Sequence, residues 1–239
     1  MPYIRSLDLF HVHNPRCGGT SINAALSIAN LLEVSSIYDL SPRPELFYGN
    51  IESHKSDLET QPKLELDHLS LSMIVSRLDL TTIKRTIFFA SVRHPWDRFV
   101  SEYRRKKSTG DSRLIDASDC EFSDYMRKFA NILLNKRGAL KSQFNASHFW
   151  PQHYFADFSQ FIDIHKYYVL RTECLEMDWY RFQKSVGFVA PLPSRKNTTG
   201  NMTDDEKLLS EDKFMKEHPE EYGAYRKYYE YDYHAFNYQ

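Results

Sequence analysis

The sequence predicts a three-layer α/β domain with a mainly parallel central sheet flanked by helices, and three observations carry that prediction. A partly alternating run, Leu7 to His13, meets a glycine pair and then an Ala- and Leu-rich stretch, Ile22 to Leu32. A near-continuous apolar run, Arg85 to Val92, leads into "RHPWDRFVSEYRRKK". A third strand pattern, Lys166 to Glu173, leads into the helical "LEMDWYRFQKSVG". Strands that alternate with helices build parallel sheets, and the ligands of such sheets bind at the carboxyl ends of the strands.

The elements follow in chain order. Between the first strand and helix lies "NPRCGGTS", Asn14 to Ser21. Glycines let backbone amides approach closely, and a helix N-terminus adds N–H donors and a positive dipole, so the loop predicts an anion site. Leu40 to His68 holds three prolines and reads as a surface excursion or substrate loop. In "SLSMIVSRLDL", Leu71, Ile74, Val75 and Leu78 have helical spacing. The run Arg85 to Val92 is of the buried-strand type. Pro95 suits the first turn of the next helix, and Asp97 the same end. Helical pattern continues over Phe122 to Lys136, Leu175 to Gly187 and Thr203 to His218, with Thr203 as an N-cap. No repeat, low-complexity tract or linker interrupts the chain, so one domain is expected over residues 1–239.

Composition narrows the function classes. Lys and Arg total 31 against 32 Asp and Glu, a net charge of −1, which argues against a general nucleic-acid binder. The basic run Arg104 to Lys107 reads as a solvated face. Cys17, Cys120 and Cys174 stand alone, without metal-ligand spacing, so no metal is expected and a reducing compartment is. No basic-then-apolar leader and no apolar run of the ~20 residues needed for a membrane span is present, so the expectation is a cytoplasmic protein. Three Asn-X-Ser/Thr matches, at Asn145, Asn197 and Asn201, are read as chance.

The first loop is neither a Walker loop, G-x-x-x-x-G-K-[ST], nor a dinucleotide G-x-G-x-x-G, because its cation, Arg16, precedes the glycines. The second motif, "VRHPWDRFVSEY", puts Arg93 at a strand end and Ser101 two turns into the following helix. A guanidinium and a hydroxyl so placed hold a second phosphate by charge-assisted bonds. One arginine after one strand would be an ordinary sheet cap; two anion loops at adjacent strand ends are not.

Together the motifs resemble the sulfotransferases that use 3′-phosphoadenosine 5′-phosphosulfate (PAPS), in particular the carbohydrate-sulfotransferase-like group with bacterial members. "PRCGGTSI" is similar to that family's "PKTGGTSI", and "VRHPWDRFVSEY" to its "VRNPWDRLVSAY". Weaker matches follow in order: His68-Leu69-Ser70, Pro151-Gln152, Glu173-Cys174-Leu175, Leu192-Pro193 with Asn197, and the tyrosine-rich end. Arg16 stands where the family's first motif usually has lysine, and Cys17 where it usually has threonine.

The resemblance implies a P-loop-like fold and sulfuryl transfer from PAPS to a hydroxyl, most readily on a carbohydrate. It implies that Arg16, Cys17, Gly18, Gly19, Thr20 and Ser21 wrap the 5′-phosphosulfate, with Arg16 stabilising charge on the departing nucleotide. Arg93 and Ser101 would hold the 3′-phosphate. Lys196, Asn197 and Thr198 are either a loop that closes over the nucleotide or polar surface. The acceptor hydroxyl needs a base, and a histidine in the excursion between the motifs is the family's choice: His68 carries the motif match, and His54 is the alternative. Glu173 orients Arg16 or the base, or forms a structural ion pair. The alternatives to a sulfotransferase are a P-loop-like kinase, which the missing Walker lysine disfavours, and a nucleotide- or glycan-binding module without catalysis.

Overall fold

A computed structural model of the chain describes residues 3–31, 69–135, 144–193 and 210–239. Among these residues four strands form one sheet, in the order β1 (Tyr3–Ile4), β2 (Leu9–Val12), β3 (Ile87–Val92), β4 (Lys166–Arg171). β2, β3 and β4 are mutually parallel; the two-residue β1, which its brevity hid in the sequence, pairs antiparallel with β2. The α-helices of five or more residues are α1 (Gly19–Ile28), α2 (Leu71–Val75), α3 (Leu80–Arg85), α4 (Pro95–Thr109), α5 (Phe122–Asn135), α6 (Leu175–Val186), α7 (Glu211–Glu217), α8 (Pro219–Tyr228) and α9 (Glu230–Ala235). The fold is α/β with a mainly parallel sheet flanked by helices, as the alternation of patterns predicts.

The backbone groups into two compact units, and neither is a continuous stretch of chain. The first comprises Met1–Asn14, Gly18–Val92 and Tyr154–Pro193 and holds the sheet. β2 and all of β3 after Ile87 are buried, which is why these strands read as apolar runs rather than alternations. The register Phe10↔Phe88 and His11↔Phe89 sorts side chains onto the two faces. One face packs Leu9, Phe89 and Leu170 against Ile22 and Leu26 of α1 and Trp179 and Phe182 of α6. On the other, Phe10 stacks on Phe88 at 5.6 Å between ring centroids, and Phe88 meets Phe158.

The second unit comprises Pro15–Cys17, Arg93–His153 and Ser194–Gln239. Its core is aromatic: Trp96, Phe99 and Tyr103 of α4, Phe122, Tyr125 and Phe129 of α5, then Phe214, Tyr225, Tyr229 and Tyr233. The crowded C-terminal tyrosines are thereby explained. Tyr225 of α8, Tyr229 between the helices and Tyr233 of α9 recur every four residues and all turn inward. Two of these polar ends find partners: Tyr229 donates to the Phe149 carbonyl at 2.7 Å and Tyr233 to Glu211 at 2.5 Å.

Two boundaries differ from the sequence reading. The helix expected over Ser70 to Leu80 is two helices, because Asp79 takes the amide of Thr82 at 2.9 Å and starts α3 afresh. Ser210, whose hydroxyl accepts from Lys213 N–H, caps α7; the expected cap Thr203 lies outside the described residues.

Candidate functional site

The first motif leaves β2, and the second leaves the neighbouring parallel strand β3. In the sheet-bearing unit, polar side chains fix those strand ends. Buried Asn14 donates to the Ser91 carbonyl at 3.0 Å, and Thr172, just past β4, donates to the Val92 carbonyl at 2.9 Å. Gly18 has φ +83° and serves as N-cap, so α1 starts at Gly19, three residues earlier than the apolar pattern indicated. Gly19, Thr20 and Ser21 therefore form the first turn, where backbone N–H groups point out of the helix. Packing also bears on the second glycine. A Cβ on Gly19 would lie 2.3 Å from Cδ2 of His13, whose ring covers it.

Arg16 has a left-handed backbone, φ +66°. That conformation costs a non-glycine residue about 1–2 kcal/mol and persists only where surroundings impose it. The surroundings belong to the helical unit. Buried Arg98 donates Nε–H to the Pro15 carbonyl at 2.9 Å and Nη2–H to the His148 carbonyl at 3.1 Å. Buried Cys17 turns its thiol to Oε1 of Gln152 at 3.2 Å, so its side chain faces inward. Gln152 also clamps Arg93, accepting from its N–H at 2.9 Å and donating to its carbonyl at 2.7 Å. Asp232, fully buried, accepts in turn from the amides of Gln152 and His153.

The side chain of Arg16 reaches Ser101 on α4. Nε and Nη2 donate to Ser101 Oγ at 3.2 and 2.9 Å, and Nη2 also to the Ser101 carbonyl at 3.3 Å. Glu102 lies 3.9 Å from Arg16 Nε. Its carboxylate is buried and held by Arg105 through two bonds, at 2.9 and 2.7 Å, and by His148 Nδ1 at 2.9 Å. Burial alone would raise the Glu102 pKa, but the bonds from Arg105 and His148 prevail and hold it at about 2. Burial lowers the pKa of Arg16, the Glu102 charge opposes that, and the positive charges of Arg105 and Arg93 act with it. Arg16 and Ser101 thus pair beside one buried carboxylate, with the positive charge of Arg93 acting on the Arg16 guanidinium.

The residues Arg98, Ser101, Glu102 and Arg105 follow i, i+3, i+4, i+7, one face of α4. A polar stripe at the spacing of an apolar one was the sequence signal for Arg98 and Glu102, which motif matching alone passes over. The basic run 104–107 is only partly the solvated face expected: Lys106 is buried and donates to the carbonyls of Asp111 and Arg113. His94 packs edge-on against Tyr233 and Tyr238. Glu173 is exposed. His68, His54, Lys196, Asn197 and Thr198 lie outside the described residues. Among the described residues no group of three or more His, Cys, Asp or Glu is placed to hold a metal ion, and no helix is long and apolar enough to cross a membrane.

A family model described as the sulfotransferase family matches residues 9–239. No curated protein and no solved structure matches the chain.

Proposed function

The chain belongs to the sulfotransferase family, and on that premise we propose that it transfers a sulfuryl group from PAPS to a hydroxyl of a carbohydrate. The family match runs through both compact units, which supports reading residues 9–239 as one catalytic domain. The observation that carries the donor assignment is the contact of Arg16 with Ser101. A cation from the first motif and a hydroxyl from the second lie within 2.9 Å, with the Arg93 charge felt at the same guanidinium. A nucleotide with phosphates at both ends of its ribose asks for such paired anion sites. In this reading the first turn of α1, Gly19 to Ser21, offers its amides to the 5′-phosphosulfate, and Arg93 and Ser101 serve the 3′-phosphate.

The transfer itself is an in-line displacement. The acceptor oxygen gives its proton to a base and bonds to sulfur, while the sulfur–oxygen bond to the nucleotide breaks and the electron pair leaves with adenosine 3′,5′-bisphosphate. The chain needs to neutralise charge on the leaving oxygen and to place the acceptor, more than to supply covalent chemistry. His68 is our base. Ser70 already caps α2 through Met73 N–H at 3.3 Å, so that helix start has its polar cap without a histidine.

The test is turnover with sulfur-labelled PAPS against a panel of glycans. Labelled sugar is the expected product, and transfer to amines alone would reject the hydroxyl assignment. His68→Ala should lower turnover by roughly 10²–10⁴ while bisphosphate binding persists. Should His54→Ala alone have that effect, the base is His54.

A further inference from the structure

Glu102 takes no part in the displacement, yet its carboxylate lies buried in the helical unit with Arg16 Nε at 3.9 Å. Burying an ionised carboxylate is costly and calls for compensating bonds. Arg105 gives two, through Nε and Nη2, and His148 Nδ1 faces the same group at 2.9 Å. This compensates the charge only in part. Arg105 is shared with Asp111, to which its Nη2 also donates at 2.7 Å, and burial disfavours the charged form of His148. At Arg16 the attraction of Glu102 accordingly exceeds the repulsion of Arg105. Arg16 does not need that attraction to keep its place, because Ser101 already accepts from its Nε and Nη2. What Glu102 adds is therefore charge. Both members of the pair also depart from the motifs that the chain resembles, which have lysine for Arg16 and alanine for Glu102.

We propose that Glu102 tunes the release of the nucleotide product: its fixed negative charge offsets part of the Arg16 charge without touching the ligand. A site that holds an anion with guanidinium groups and helix amides must let adenosine 3′,5′-bisphosphate go in every turnover. Where release limits the rate, a tighter hold on that product only slows the cycle. Glu102 acts through Arg16, and the inference rests on the donor reading above.

Isothermal titration of the full chain with adenosine 3′,5′-bisphosphate at pH 7 tests it. Glu102→Gln keeps the shape and removes the charge, so the bisphosphate should bind about tenfold tighter or more, the scale of one unit charge acting over several ångströms at an effective dielectric constant of about 20. The stoichiometry of the titration reports the folded fraction separately from Kd. Asp111→Asn leaves Glu102 in place and gives it the whole of Arg105; it should tighten binding by a smaller factor, and it decides the matter if the Gln variant does not fold. Arg105→Gln leaves Glu102 less compensated and should weaken binding. Opposite signs for Glu102→Gln and Arg105→Gln mark an effect of charge, since loss of a merely structural bond between them would weaken binding in both. Unchanged or weaker binding by folded Glu102→Gln overturns the proposal, as does tighter binding by Arg105→Gln. If the Gln variant does not fold, unchanged or weaker binding by Asp111→Asn overturns it. A wild type that does not bind the bisphosphate rejects the donor reading and the inference with it.

Discussion

Glu102 is a carboxylate almost without access to water, and its ionisation is a folding matter. Folded, it titrates near 2 against an ordinary 4.5, so the native state binds its proton less tightly than the unfolded chain. Its contribution is complete above about pH 4.5, worth ~3 kcal/mol, and is lost as pH falls toward 2. His148 adds to the same trend. Burial lowers its pKa below 6.5 despite Glu102, so acid must force a proton onto it as well. Glu102→Gln should therefore be the less stable protein at pH 7 by roughly 3 kcal/mol, with the gap to wild type closing below pH 4. Urea unfolding across that range measures it, and parallel pH profiles would mean that Glu102 is not the titrating group. Arg93 poses a different question, since its backbone is clamped by Gln152 and its side chain is half-buried. Arg93→Ala should leave folding intact and cost about 2 kcal/mol of bisphosphate affinity, because a charge-assisted phosphate bond is lost. Calorimetry that finds unchanged affinity removes Arg93 from the phosphate site. Arg16, Arg93 and Ser101 were legible in the sequence because anion chemistry restricts residue type. Gln152 was visible only as half of a Pro-Gln pair, since its role, bonding the backbone of Arg93, leaves no pattern in neighbouring residues.

At the scale of elements, the strand ends and helix starts carry the consequences. The glycine pair was read as room for a phosphate, yet Gly19 also makes room for His13. Gly19→Ala must displace that imidazole or shift α1, so it should destabilise the protein by ~1–3 kcal/mol, as overpacking does. Thermal unfolding without any nucleotide is the check, and an unchanged midpoint would mean that the imidazole swings away freely. β2 and β3 showed in the sequence because burial on both faces demands apolar residues throughout, and the less buried β4 showed by its aromatic and β-branched residues. Strand periodicity failed for β1, where two residues are too few to show a period. The helices after His218 had no expectation in the sequence, where tyrosines fill both buried and exposed positions: Tyr233 is 1% exposed and Tyr231 49%. In such a segment residue type no longer marks the inner face. The aromatic core that results has a predictable weight. Phe129 of α5 touches Phe99, Phe149, Tyr228 and Tyr229, so Phe129→Ala should cost ~3–5 kcal/mol. A loss below 1 kcal/mol in urea unfolding would show that these rings repack around the cavity.

For the whole molecule, chain connectivity and ligand linkage meet. The three-residue stretch Pro15–Cys17 belongs to the helical unit, while the residues on both sides of it belong to the sheet-bearing unit. A ligand that binds the native chain and not the unfolded one stabilises by mass action. At a hundredfold excess over Kd the gain is ~2.7 kcal/mol, and a chain of this size converts each kcal/mol into a Tm rise of roughly 2–4 °C. Adenosine 3′,5′-bisphosphate at saturation should thus raise Tm by about 5–10 °C. ATP with magnesium should raise it less, because a triphosphate places its charge at the 5′ end alone and lacks the 3′-phosphate proposed for Arg93 and Ser101. Ser101→Ala should shrink the bisphosphate shift toward the ATP value. Equal shifts with both nucleotides in the wild type would favour the kinase reading of these loops, and no shift with either would mean that neither motif holds a nucleotide.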